Sequence, residues 1–287
     1  MRAVGLSRRR NRGYADEGPL TGCIQGDRLT QPRILSLDIE TSPVLAYVWS
    51  LWKQNVGLNQ IKEDWCILSF CAKWLGKPDV IYRDNSKQRN VEDDRRLLRA
   101  LWKLLDQADI VVAQNGVKFD RRKINARFLL NGMPPPSPYA VVDTMLEARK
   151  HFGLTSNKLE YMTSKLCTVK KRKHEKFPGF ELWAQCLQRN PEAWEEMRAY
   201  NIDDVLSLEE LYLILRPWID GHPNVANFTE PDKPACPKCG SANIIQKGHR
   251  HTQVGRYARY RCTDCGGWSR GRQMLNSKDQ RKNLLVS

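Results

Sequence analysis

Two carboxylates stand two residues apart in the apolar run RILSLDIETSP (33–43), where Ile34, Leu35, Leu37 and Ile39 surround Asp38 and Glu40. Residues two apart on a strand share a face, so Asp38 and Glu40 point the same way. Like charges held that close repel unless a cation sits between them. A third carboxylate, Asp120, ends NGVKFD (115–120), where an apolar run passes into a helix. Asp is also a common residue at helix starts, so spacing alone leaves Asp120 open between cap and ligand. A fourth lies in PEAWEEMRAYNIDDVLSLEELYLILRPW (191–218). Wound at about 100° per residue, this segment aligns Met197, Tyr200, Asp204, Leu208, Leu211 and Leu215 on one stripe. Glu196, Asp203 and Glu210 fall on a different, polar face, so Asp203 is explained as a solvated residue. Asp204 is not, because a carboxylate inside an apolar stripe is costly without a counter-charge. Four carboxylates from three segments form an oxygen-only set, which favours Mg²⁺ or Mn²⁺. Such a set can hold two ions ~3.5–4 Å apart, an arrangement suited to in-line displacement at phosphorus.

A second constellation uses sulfur. Cys236-x₂-Cys239 and Cys262-x₂-Cys265 are separated by 22 residues, and a glycine follows each pair. This spacing predicts one structural Zn²⁺ in a tetrahedral Cys₄ site, with the metal supplying folding energy to a segment too small for its own core. Between the pairs, KGHRHTQVGRYARYRC interleaves cations and aromatics. On a hairpin, Arg256, Tyr257, Arg259, Tyr260 and Arg261 are expected to form a cationic, aromatic nucleic-acid-binding face. His249 and His251 are not needed as ligands, since four cysteines fill the site. Cys23, Cys66, Cys71, Cys167 and Cys186 lack paired spacing and read as small buried apolar residues in a reducing compartment.

The elements that must position these groups are legible in outline. Apolar runs at 33–39, 44–49 and 66–72 suggest early antiparallel strands, with Trp49, Trp52, Trp65 and Trp74 as core or strand-face packing. One or two of these tryptophans near Asp38 could stack on unpaired bases. A helix follows over 91–109, a buried strand over 110–115, a helix over 119–132, and a strand leading into a helix over 140–153, capped by Asp143-Thr144. The order predicts an α/β domain over 33–218, a linker at 219–234, a zinc ribbon at 235–270 and a basic tail at 271–287. Residues 1–32 are polar and aperiodic and read as a disordered basic tail. The chain has 287 residues and a net charge of +15, concentrated in 233–287, where twelve Lys/Arg meet two acids. Basic flanks on a nearly neutral body suit a polyanion partner. The run Lys170, Lys171, Arg172 and Lys173 is a phosphate track or a solvated loop. No apolar stretch reaches membrane-span length, and no signal-peptide core is present.

In order and type, DIE, NGVKFD and YNIDD resemble the three motifs of the DEDDy-type 3′–5′ exonucleases of the ribonuclease H-like superfamily, D-x-E, N-x₂₋₃-[FY]-D and Y-x₃-D. The nearest group is related to the proofreading domain of family-B DNA polymerases. The resemblance covers roughly 33–218 and implies a mixed β-sheet flanked by helices. It further implies that Asp38, Glu40, Asp120 and Asp204 bind two Mg²⁺ or Mn²⁺ ions, that Glu40 and Tyr200 orient the attacking water, and that Asn115 positions the substrate strand. Nucleic acid, DNA before RNA, would be cut to nucleoside 5′-monophosphates in the cytoplasm of a bacterium or phage-infected cell. A structure-selective endonuclease on the same core and a non-catalytic nucleic-acid adaptor are the alternatives.

Overall fold

The computed structural model describes residues 31–170, 174–229 and 231–286. Its centre is a mixed five-stranded sheet. The strands are β1 (Ile34–Thr41), β4 (Ile67–Trp74), β5 (Val80–Asp84), β6 (Ile110–Ala113) and β7 (Ala140–Asp143), in the order β5-β4-β1-β6-β7. β4 runs antiparallel to β1 and β5, while β6 is parallel to β1 and β7. Alternation along β1 does what the sequence predicts. Leu35, Leu37 and Ile39 face a core closed by α1 (Arg95–Asp106) and α2 (Asp120–Leu130), leaving Ser36, Asp38 and Glu40 for the opposite face. That face is covered by a long helix, α6 (Pro191–Leu215), against which α3 (Thr144–His151), α4 (Leu159–Leu166) and α5 (Glu181–Leu187) pack. Asn190 caps α6 through the Glu192 N–H, with Pro191 at its first position, where a missing N–H costs nothing.

The run at 44–49 departs from expectation. Only Leu45–Ala46 (β2) is strand, and it pairs with Ile61–Glu63 (β3) in an arm that leaves β1 and returns to β4. Ser42 closes the base by donating its N–H to the Cys66 carbonyl. With two strands of two or three residues and no covering layer, the arm has nowhere to bury apolar side chains. Trp49 is 97% exposed and Trp52 82%, so these two are not core tryptophans. Trp65 lies partly covered beneath Lys123, whose Nζ is 3.7 Å from the ring centroid, and Trp74 packs against the core beneath Arg33.

The C-terminal ribbon is a three-stranded antiparallel sheet of β8 (Ile244–His251), β9 (Arg256–Cys262) and β10 (Trp268–Met274), with β9 central. It docks on the end of α6. Val225 donates its N–H to the Pro237 carbonyl (2.8 Å), and Lys238, buried between Cys236 and Cys239, donates to the Pro217 carbonyl. Ile219 and Val225, in the segment read as linker, are buried in the same cluster as Ile110, Leu208 and Tyr212. Among the described residues, no helix is long and apolar enough to cross a membrane.

Candidate active site and nucleic-acid interface

β1 and α6 bring three of the four expected carboxylates together. One oxygen each of Asp38, Glu40 and Asp204 lies within 4.8 Å of the other two. The stripe on α6 is buried as its periodicity predicts, from Met197 through Tyr200 and Asp204 to Leu215, while Asp203 is half-exposed. The helix is wider in its burial than one stripe. Asn201 and Ser207 are also fully covered, because α6 lies between the sheet and the outer helices. Glu210 on the polar face is not simply solvated. It accepts N–H groups from Thr168 and Val169 at 2.8 and 2.9 Å, and these bonds hold its carboxyl below the usual range.

Two neighbours that no sequence pattern singles out grip the carboxylates. Asn201 donates its side-chain N–H to Asp38 Oδ2 at 2.6 Å and accepts from Ser69 Oγ at 3.2 Å. Trp183 on α5 donates its indole N–H to Glu40 Oε2 at 3.0 Å. Its ring meets His174 edge-on, and His174 in turn meets Tyr200. Both donors are neutral, so they orient the carboxylates without cancelling the charge a cation would need. Cys71 sits opposite Asp38 on β4, and burial, reinforced by Asp38 and Asp204, pushes its thiol well up. Lys73, two residues on, is largely buried and pairs with Glu209 at 2.6 Å, fastening β4 to α6.

Asp120 stands apart from this triad. It begins α2, is almost wholly buried, and accepts the Ile39 N–H at 3.2 Å, so its carboxyl lies against β1 between the two acidic residues. Burial raises its pKa to about 7, helped by Asp143 and opposed by backbone N–H groups. The loop before it is built tightly. A Cβ on Gly116 would lie 2.4 Å from the Ala113 Cβ, so only glycine fits. Asn115 adopts φ of 60°, and its side-chain oxygen is buried without a hydrogen-bond partner among the described residues. Asp143, expected as a cap, caps α3 through Met145 and Leu146 and also accepts the N–H groups of Asn115 and Val117. It therefore fixes the loop that presents Asp120.

The four ribbon cysteines also converge, with all sulfurs within 4.8 Å of one another. Cys236–Cys265 and Cys239–Cys262 are 3.6 and 3.7 Å apart. Tetrahedral Zn–S bonds of about 2.3 Å require sulfur separations of roughly 3.8 Å, so the donor set fits zinc. Strand register divides the predicted nucleic-acid residues. Tyr257, Arg259 and Arg261 share one face by alternation, while Tyr260 and Arg256 point the other way. Cross-strand partners add Arg250, Arg270 and Trp268 to the first face. Arg259 lies over Trp268 at 4.9 Å and Arg270 over Tyr257 at 4.2 Å, giving a ladder of guanidinium and aromatic planes. Lys170 is exposed, whereas Lys171, Arg172 and Lys173 lie outside the described residues, as do residues 1–30 and with them Cys23.

The family model described as RNase_H superfamily matches residues 56–216, more than half of the chain. The chain belongs to the RNase_H superfamily. The match begins after β1, so Asp38 and Glu40 lie outside the matched residues, on a strand that pairs with β4 and β6 within them. Among solved structures, the chain is similar to a family B DNA polymerase from the hyperthermophilic archaeon Pyrobaculum calidifontis. The identity is 15% and the TM-score 0.46, over 65% of this chain and only 25% of the polymerase. No curated protein matches. Superfamily membership together with the acidic triad describes a nuclease fold whose oxygen donors suit a divalent metal.

Proposed function

We propose that this chain is a divalent-cation-dependent 3′–5′ exonuclease that releases nucleoside 5′-monophosphates, preferring DNA. The observation that carries this reading is the convergence of Asp38, Glu40 and Asp204 on an RNase H-like sheet, with Tyr200 one turn before Asp204. Asp38, Glu40 and Asp204 would hold the cations, and Asp120, one backbone bond from β1, would complete the set. Two Mg²⁺ or Mn²⁺ ions would supply a lowered pKa for the attacking water and charge stabilisation at the leaving 3′-oxygen. Tyr200 and Glu40 would orient that water, with Trp183 fixing one Glu40 oxygen. Asn115 would help position the strand beside Asp120. The ribbon, folded around one Zn²⁺, would hold the polymer through Arg259, Arg261, Arg270 and Trp268, because cation–phosphate contacts and base stacking both act without sequence.

The test is digestion of 5′-labelled DNA and RNA oligonucleotides in Mg²⁺ or Mn²⁺, with free and blocked 3′ ends. Stepwise shortening that a 3′ block abolishes, and that Asp38→Asn eliminates, supports the proposal. Cleavage of the blocked strand would instead identify an endonuclease. Binding without cleavage of either strand would leave a nucleic-acid adaptor.

A further inference from the structure

At the far edge of the sheet, β5 and the first turns of α6 enclose a groove of about 630 Å³. Five exposed cations line it, each from a different segment. They are Arg83 on β5, Lys87 in the turn after it, Arg96 on α1, Arg189 between α5 and α6, and Arg198 on α6. Only two carboxylates, Asp84 and Glu195, share the lining. A solvated helix face would draw its charge from one element, whereas this charge is assembled by the tertiary fold. Arg189 adopts a left-handed backbone, φ 66°, which a side chain disfavours. Its guanidinium donates to the Gln88 carbonyl at 2.9 Å and to that of Arg89, clamping the turn after β5 to the start of α6. Trp194 also lines the groove, and its buried indole nitrogen has no hydrogen-bond partner among the described residues. Arg96 belongs to a second cleft as well, about 360 Å³, lined by Gln88, Asp93, Arg95 and Arg99.

We infer that these joined clefts form a phosphodiester-backbone track that holds the substrate strand away from the point of cleavage. A mononucleotide would call for one convergent cation cluster and a slot for its base. Cations spread over two adjoining clefts match a polymer with repeating phosphates. Tyr82 in the groove lies opposite Cys71, and Cys71 opposite Asp38, so the track begins two strands, roughly 10 Å, from the acidic triad. Naming the polymer as nucleic acid rests on the proposed nuclease function; the cationic track itself does not.

The experiment measures binding of the full chain to labelled DNA and RNA strands without added Mg²⁺ or Mn²⁺ and without chelator, which would strip the ribbon's cysteine site, at several salt concentrations, for wild type, Arg96→Gln/Arg198→Gln and Arg83→Gln/Lys87→Gln. Each phosphate contact removed should lower the salt slope by about 0.7–0.9. Each double variant should therefore bind long strands at least tenfold more weakly, with a slope reduced by about 1.5. Strands too short to span the triad and the track should bind as they do to wild type. Two double variants that both fold, yet bind long strands with wild-type affinity and slope, would overturn the track. Equal weakening for short and long strands would also overturn it, by showing a general field rather than a distal site. Because binding is read without added Mg²⁺ or Mn²⁺, a protein that shows the track but does not cleave when those ions are supplied would sink the exonuclease reading and leave the track standing.

Discussion

Asn201 shows how a neutral residue can decide the chemistry of an acidic one. Its amide is fully buried, accepts from Ser69 and donates to Asp38 at 2.6 Å. A hydrogen bond to a charged group is worth about 1.5–3 kcal/mol, and here it fixes one carboxylate oxygen. Asn201→Leu should weaken Mn²⁺ binding by roughly 10- to 100-fold, corresponding to that energy, measured by titration calorimetry on the full chain. Asn201→Asp also removes the N–H donor but adds a negative charge whose repulsion with Asp38 a cation relieves, so it should bind Mn²⁺ more tightly than Leu; equal affinity for all three proteins would show that the amide is only packing. Neighbouring acids on α6 provide a second comparison. Asp204→Asn should abolish turnover and Asp203→Asn should change it less than about threefold, since only Asp204 joins the triad. The reverse order of measured rates would mean that the wrong carboxylate has been placed at the site. The carboxylates were legible in the sequence because a charge inside an apolar period conflicts with burial. Asn201 and Trp183 were not, because an amide beside a motif or an indole on a short helix fits a bland core equally well. Their roles exist only once β1, α5 and α6 meet.

At the scale of elements, long periodic segments were readable and short ones were not. The expected helices at 91–109, 119–132 and 191–218 appear as α1, α2 and α6, each shorter than expected and α1 most of all. β5, α4 and α5 have too few residues for a period to emerge, yet β5 lines the groove and α5 supplies the Glu40 contact. The apolar run at 44–49 misled because strand-like composition says nothing about whether a second layer covers the strand. The end of α6 carries its own titratable lock. Tyr212 shares a 2.8 Å hydrogen bond with His222 Nε2, while His222 Nδ1 meets the Pro223 carbonyl at 2.7 Å and so carries the proton. Nε2 then accepts from the tyrosine. Burial depresses the His222 pKa, with Arg216 and Lys238 adding to the effect against the Pro223 bond. An unfolded histidine titrates near 6.5, so below that pH the unfolded chain binds the extra proton first. This lock's contribution is therefore intact above about pH 6.5 and declines as pH falls from there toward the lower folded value. In urea unfolding between neutral and mildly acidic pH, wild type should lose more stability than His222→Gln. Parallel pH profiles would show that the pair does not couple titration to folding.

Over the whole molecule, α6 acts as a spine about 37 Å long. The acidic site lies near its middle, the cationic groove at its first turns and the ribbon at its end. The ribbon is not loosely strung. Lys238 lies between Cys236 and Cys239 and donates to the Pro217 carbonyl, and Gly240 packs against Val225. Burial lowers the pKa of Lys238, with Asp220 and the ribbon cysteines opposing, and four sulfurs around a zinc ion would keep this loop in register with the end of α6. The segment from 233 onward holds twelve of the chain's Lys/Arg residues, so folding the ribbon places much of the positive charge at a fixed position relative to the triad. Cys262→Ser removes one of the four converging sulfurs and should release that arrangement while leaving every acidic residue in place. The variant should contain less than one zinc per chain by metal analysis and bind long strands at least tenfold more weakly, with a shallower salt slope. It should still cleave short oligonucleotides at the wild-type rate when saturated, because a tether raises effective concentration and not the chemical rate. Unchanged long-strand affinity after zinc loss would remove the ribbon from substrate binding. Loss of saturated cleavage, in a variant whose main body remains folded by circular dichroism, would mean that the ribbon acts through Pro217 and α6 on the catalytic carboxylates themselves.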